Sequence, residues 1–192
     1  MTMQFSLFGA AAAEPSLDDL DGVLLAGGHW VRSQESARLS VVVGDRWRAD
    51  ALAEAFVALG VDGQDVVVRS EGGYGVRTAF DAALTAAANR WRRGALDAPP
   101  PDFALTAGGL RLWAISAGSR DDVGYLLATA EPDDPMHLAA GAQLARLGLA
   151  AVSIGLRGGP GWRVTSVKRI RRLAELLGPP PYGGASAWPL VR

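Results

Sequence analysis

The chain is predicted to be an α+β protein: a pseudo-twofold duplication of an αββαββα unit carrying two antiparallel sheets. Three observations predict it. Two short apolar segments with small residues at their C-terminal ends, "LDGVLLAGG" at 20–28 and "LRLWAISAG" at 110–118, each open a series of strand-like and helix-like segments. The two series run in nearly the same order. A single offset of 88 then carries Leu59, Gly60 and Val61 to Leu147, Gly148 and Leu149, Val66 and Val68 to Ile154 and Leu156, Arg69 to Arg157, and Tyr74 and Val76 to Trp162 and Val164. Agreement across several elements at one spacing marks an internal repeat.

Composition permits such a fold and limits its chemistry. With 192 residues, 49% of them hydrophobic, the chain can bury an ordinary core. Its formal net charge of -1 gives no chain-wide attraction for nucleic acid, so such binding needs a local basic patch. Of 19 basic residues only Lys168 is Lys. Arginine suits bidentate contacts to phosphate, although a genome rich in Arg, Ala and Gly codons accounts for the bias equally well. The absence of Cys removes disulfides, thiolate metal sites and a Cys nucleophile. No apolar stretch reaches 18 residues, so no membrane helix is expected. "MTMQFSLFGAAAAEPS" lacks a basic leader region and reads as a flexible lead-in, which makes a cytoplasmic protein the expectation.

Taken in order, Ser16 and Asp19 form a capping box that opens a helix reaching about Ala26, stopped by Gly27 and Gly28. "HWVR" (29–32) and "ARLSVVVG" (37–44) read as strands around a polar loop. "WRADALAEAFVALG" (47–60) has helical spacing and ends at Gly60. "DVVVR" (65–69) and "YGVRT" (74–78) flank the turn "SEGG", and "AFDAALTAAANRW" (79–91) is a helix with Phe80, Leu84, Ala87 and Trp91 on one stripe. "RRGALDAPPPD" is a stiff Pro-rich linker. The second series has a helix at 110–118, a strand at 124–131, and a helix at 134–148 with Pro135 in its first turn. Strands at 151–157 and 162–166 follow, then a helix at 167–178 closed by Gly178. The expected division is a lead-in at 1–15, repeats at 16–91 and 109–178, a linker at 92–108 and a tail at 179–192.

Two such units, each opened by a small-residue helix, resemble the LAGLIDADG homing endonucleases. The resemblance implies that the opening helices pack together and that the two sheets form a saddle over DNA. Leu20, Gly22 and Gly28 match the motif, as do Leu110 and Gly118, while Leu112 stands where the inner small residue belongs. The penultimate motif residue is, in these enzymes, an acid that binds the catalytic divalent metal. Here it is Gly27 in one copy and Ala117 in the other. Asp21 lies nearly two turns away, and Asp121 and Asp122 read as solvated turn residues. His29 and His137 are isolated histidines. No triad, metal cluster or phosphate loop is seen, and "EGGYG" and "RGGPG" read as hairpin turns. The expectations are therefore no enzyme, no cofactor and no metal. Gly in "LAGG" resembles the N-terminal region of the WhiA family of sporulation regulators, which implies a nucleic-acid-binding or regulatory role without cleavage.

Strand alternation assigns the binding face. Trp30, Arg32, Arg38, Arg69, Arg77, Arg157 and Arg163 are expected to point outward, opposite Val31, Leu39, Val66, Val68, Val76, Ile154 and Trp162. Lys168 and Arg169 crowd the first turn of the last helix, where positive charge opposes the helix dipole. These nine residues form the expected nucleic-acid surface, with duplex DNA as partner. A merely solvated basic face is the competing reading. So is a protein partner on the apolar strip Leu126, Ala128 and Ala130.

Overall fold

The computed structural model describes residues 9–10, 14–61, 67–70, 73–94, 96–130, 135–155 and 159–190. The first unit opens at Ser16, whose hydroxyl accepts from the Asp18 amide while Asp19 accepts from the Ser16 amide. That capping box leads through a 3-10 turn, Leu17–Leu20, into α1, Asp21–Leu25. Then come β1 (His29–Arg32), β2 (Ala37–Val43), α2 (Arg46–Ala58), β3 (Val67–Ser70), β4 (Gly73–Arg77) and α3 (Leu84–Arg90). A two-strand hairpin, β5 (Arg92–Arg93) and β6 (Leu96–Asp97), occupies part of the stretch expected as linker. The second unit comprises α4 (Ala107–Ala117), β7 (Gly118–Arg120), β8 (Tyr125–Ala128), α5 (Pro135–Arg146), β9 (Val152–Ile154), β10 (Gly161–Val164) and α6 (Val167–Leu177).

The two four-stranded sheets have the same antiparallel order, β1-β2-β4-β3 and β7-β8-β10-β9. The duplication is thus present in connectivity as well as in element order. Between the sheets, α1 and α4 pack against each other. Their closest approach is backbone to backbone: a Cβ at Gly22 would overlap the Gly109 carbonyl, and one at Gly108 would overlap the Asp19 carboxylate. The same carboxylate accepts from the Thr106 hydroxyl at 2.6 Å, and Thr106 in turn caps α4 through the Gly109 amide at 2.8 Å. One acidic residue therefore ties the starts of both central helices.

Helix α4 begins earlier than expected, and its small contact residue is Gly109, one position before the motif quoted above. Leu112 is buried instead of standing at the crossing. Helix α3 starts only at Leu84, and Phe80 is exposed. The final segment packs onto the second unit: Trp188 is buried, donates to the Gly178 carbonyl and lies under the Arg111 guanidinium. Among the described residues no helix is long and apolar enough to cross a membrane.

Candidate nucleic-acid interface

Cross-strand register decides which side chains share a face, because directly paired residues project to the same side. In the first sheet Trp30 pairs with Leu39, Arg32 with Ala37, Val41 with Val76 and Val43 with Tyr74. Leu39, Ala37, Val41, Val43 and Val76 are all buried, so this set faces the helices. The outer set consists of His29, Val31, Arg38, Ser40, Val42, Gly75 and Arg77. In the second sheet Tyr125, Leu127, Trp162 and Val164 face the helices. Ser119, Leu126, Ala128, Val152, Ile154, Gly161 and Arg163 face outward.

This register corrects several of the expected placements. Trp30 is buried on the helix side. Arg32 points the same way and binds Asp97 of β6 at 2.5 Å and the Ala88 carbonyl of α3. The physical reason is the β5–β6 hairpin, which brings a carboxylate over β1 and also accepts from the Trp30 amide. Arg69 pairs with Tyr74 and so lies on the helix-side register of β3, exposed because β3 is an edge strand. Ile154, expected inside, faces outward, while Ser153 pairs with Trp162 on the helix side and meets His137. Arg157 falls outside the described residues. Lys168 and Arg169 are exposed on α6, a helix packed against α4, and not on either outer sheet face.

Three expected cations remain on the outer faces. Arg38 and Arg77 flank Ser40 on the central strands β2 and β4: Arg77 is directly opposite Ser40, and Arg38 is two residues along from it. Neither makes a salt bridge with a described carboxylate. Arg38 lies 4.6 Å over the Phe80 ring, a cation–π arrangement that positions it on that face. Arg163 differs, since its guanidinium is bound to Asp121 at 2.6 Å. Among the described residues, the outer-face cations without an acidic partner therefore belong to the first sheet. Around Arg163 the second sheet presents Leu126, Ala128, Val152 and Ile154, with Val152 57% exposed.

The C-terminal ends of the central helices carry no carboxylate of their own. Gly27, with φ of 92°, ends α1 beside Ala130. A cleft of about 350 Å³ opens there, bordered by His29, Arg32, Asp97 and Met136. At the end of α4, next to Ala117, the buried Arg48 donates to the carbonyls of Ala114, Ile115 and Gly118. A guanidinium satisfies the orphan carbonyls of a helix end and balances its negative dipole. Sequence reasoning missed Arg48 because its partners lie 66 to 70 residues away; its only local signal is Asp45, three residues earlier. The Tyr125 hydroxyl adjoins Gly118, where a Cβ would overlap it, and burial pushes its pKa upward.

Asp21 sits buried at the start of α1, bonded to Arg90 at 2.6 Å and to the Trp91 indole at 2.7 Å. Burial outweighs both partners and raises its pKa to about 6. His137 is also internal: Nδ1 meets the Thr129 hydroxyl, Nε2 meets the Ser153 hydroxyl, and the ring stacks on Trp162. His29 is exposed. Asp121 caps its own turn, accepting from the Val123 and Gly124 amides. Among the described residues no three acidic or histidine side chains converge into a metal-binding group.

No protein-family model and no curated protein matches the chain. Solved structures do. The homing endonuclease I-WcaI, bound to its DNA recognition sequence, matches over 83% of this chain and 79% of its own at 11% identity, with a TM-score of 0.60. I-DmoI, in complex with DNA and Mn, matches over 84% of this chain and 98% of its own at 13% identity, with a TM-score of 0.45. The chain has the α+β fold of the LAGLIDADG homing endonucleases. The same likeness corrects the expectation that the chain is no enzyme, since I-WcaI, which shares its fold, is an endonuclease and nothing in this chain's geometry shows inactivity. A catalytic Mg²⁺ is usually held by one or two carboxylates together with substrate phosphates. Neither Gly27 nor Ala117 supplies such a carboxylate at the helix ends.

Proposed function

We propose that this chain binds duplex DNA across the outer faces of its two sheets and acts there as a regulator. The observation that carries the reading is the pair Arg38 and Arg77 around Ser40, two cations on one outer face without a described acidic partner. Guanidinium groups so arranged suit phosphate oxygens or guanine edges, and Ser40 offers a hydroxyl between them. The repeated strand order supports it, because it sets two equivalent outer faces in one chain, as in a fold whose solved relative is bound to DNA. The regulatory part rests on the likeness of "LDGVLLAGG" to the WhiA family and predicts that DNA recovered with the protein from its host clusters upstream of transcription starts.

The binding test is charge reversal. Labelled duplex titrated with the full chain should bind, and the double variant Arg38→Glu with Arg77→Glu should lose that binding. The double variant should remain folded, with stability lowered by about 1 kcal/mol through loss of the Arg38–Phe80 contact. Undiminished binding by a folded double variant would remove the first sheet from the interface. A copurifying protein that protects Leu126 and Ala128 in the absence of nucleic acid would favour the protein-partner reading instead.

A further inference from the structure

We infer that the two sheets read different chemistry in the duplex, and that the second sheet, through Leu126, Ala128, Val152 and Ile154, recognises thymine methyl groups of an A·T-rich half-site. The inference rests on the DNA-binding reading above and names the target of one half of that surface. Its starting point is the register. These four side chains lie on the outer face of β8 and β9, with Gly161 of β10 between Ala128 and Ile154 and Arg163 between Leu126 and Val152. Leu126 and Ala128 on β8 occupy the positions that Arg38 and Ser40 occupy on β2, and Val152 and Ile154 extend the strip onto the edge strand β9.

Charge decides what this face fits. Its one described guanidinium, on Arg163, already has a carboxylate at 2.6 Å, so among the described residues this face offers no unpaired cation to a phosphate. A duplex spanning both sheets therefore gains its phosphate contacts under the first. Under the second, the favourable surface is apolar. In the major groove the apolar feature that differs between base pairs is the C5-methyl of thymine, which aliphatic side chains contact. Val152, 57% exposed, has the most area to bury in such a contact. Gly161 adds no side chain, and a Cβ there would crowd the backbone of Leu127 and Ala128, so the strip stays shallow.

The test begins with selection of bound duplexes from a random library by the full chain. The enriched site should be asymmetric, with A·T pairs concentrated in one half. Because the chain has no Cys, a cleaving reagent tethered at Ser119→Cys on the second outer face reports which half lies beneath it. Replacing dT by dU in that half removes only methyl groups. Each methyl lost should weaken binding by about fourfold, the equivalent of one buried carbon. The same replacement under the first sheet should leave binding unchanged, and the variant Leu126→Ala with Val152→Ala should show a smaller dT-to-dU difference than the parent. If a selected duplex is bound with no dT-to-dU difference under the second sheet, the inference is overturned while the DNA-binding reading stands. If no duplex is selected, the underlying reading fails. If the protein sediments as a dimer that Val152→Asp dissociates, a second copy covers the strip and the inference is likewise overturned.

Discussion

Asp21 is the residue whose environment is least expected of a carboxylate. It is 1% exposed, faces one guanidinium and one indole, and still titrates at about 6, because losing water costs its charged form more than those partners return. A folded-state pKa above the unfolded value of 3.8 means that the fold binds this proton more tightly than the unfolded chain does. Its stabilising contribution is therefore full below about pH 4 and is lost as pH rises through about 6. The stability difference between the parent and Asp21→Asn should shift against the parent by up to about 3 kcal/mol between pH 4 and 7. Chemical denaturation of both proteins across that range measures it, and parallel curves would show that Asp21 does not titrate there. That Asp21 is structural was only partly legible. Its distance from the motif's acidic position could be counted, but Arg90 and Trp91 lie 69 and 70 residues away.

Helix pairing and strand pairing had unequal legibility, for physical reasons. The central helices were visible because close packing demands small residues, and Gly22 supplied one. Gly22→Ala should force the Cβ into the Gly109 carbonyl, and since backbone cannot yield as a side-chain tip can, destabilisation should reach about 1–3 kcal/mol or more. A melting temperature equal to the parent's would mean that α1 and α4 do not cross there. The strands were harder. Ser40 faces Arg77, and the offset of 88 carries these two to Ala128 and Thr165, yet Ala128 faces Gly161, four residues earlier. A slip by an even number keeps every side chain on its own face, which is why Arg163 still points outward. On β1, β3 and β9 the expected faces were reversed. For β1, nothing in "HWVR" announces that Asp97, within a supposed linker, would fold back to cover Trp30 and Arg32. β3 is an edge strand, where alternation constrains exposure least.

For the molecule as a whole, duplication has produced two sheets of one topology whose described outer faces differ in unpaired charge, and that difference is measurable. Each unpaired cation that meets a phosphate releases counterions and adds about 0.9 to the slope of log affinity against log salt. Arg38→Ala and Arg77→Ala should each lower the slope by about that amount, whereas Arg163→Ala should leave it unchanged, since Asp121 is already its counterion. The sharper experiment adds charge without adding a cation. Asp121 uses Oδ1 for the Val123 and Gly124 amides and Oδ2 for Arg163. Asparagine can keep the first pair through its carbonyl oxygen, but it turns an amide NH₂ toward the guanidinium and releases it. The ion pair is partly solvent-exposed, so its loss should cost within about 1 kcal/mol of stability. Asp121→Asn should accordingly fold like the parent, bind duplex more tightly at low salt, and show a slope steeper by about 0.9. An unchanged slope would mean that no phosphate lies within reach of Arg163.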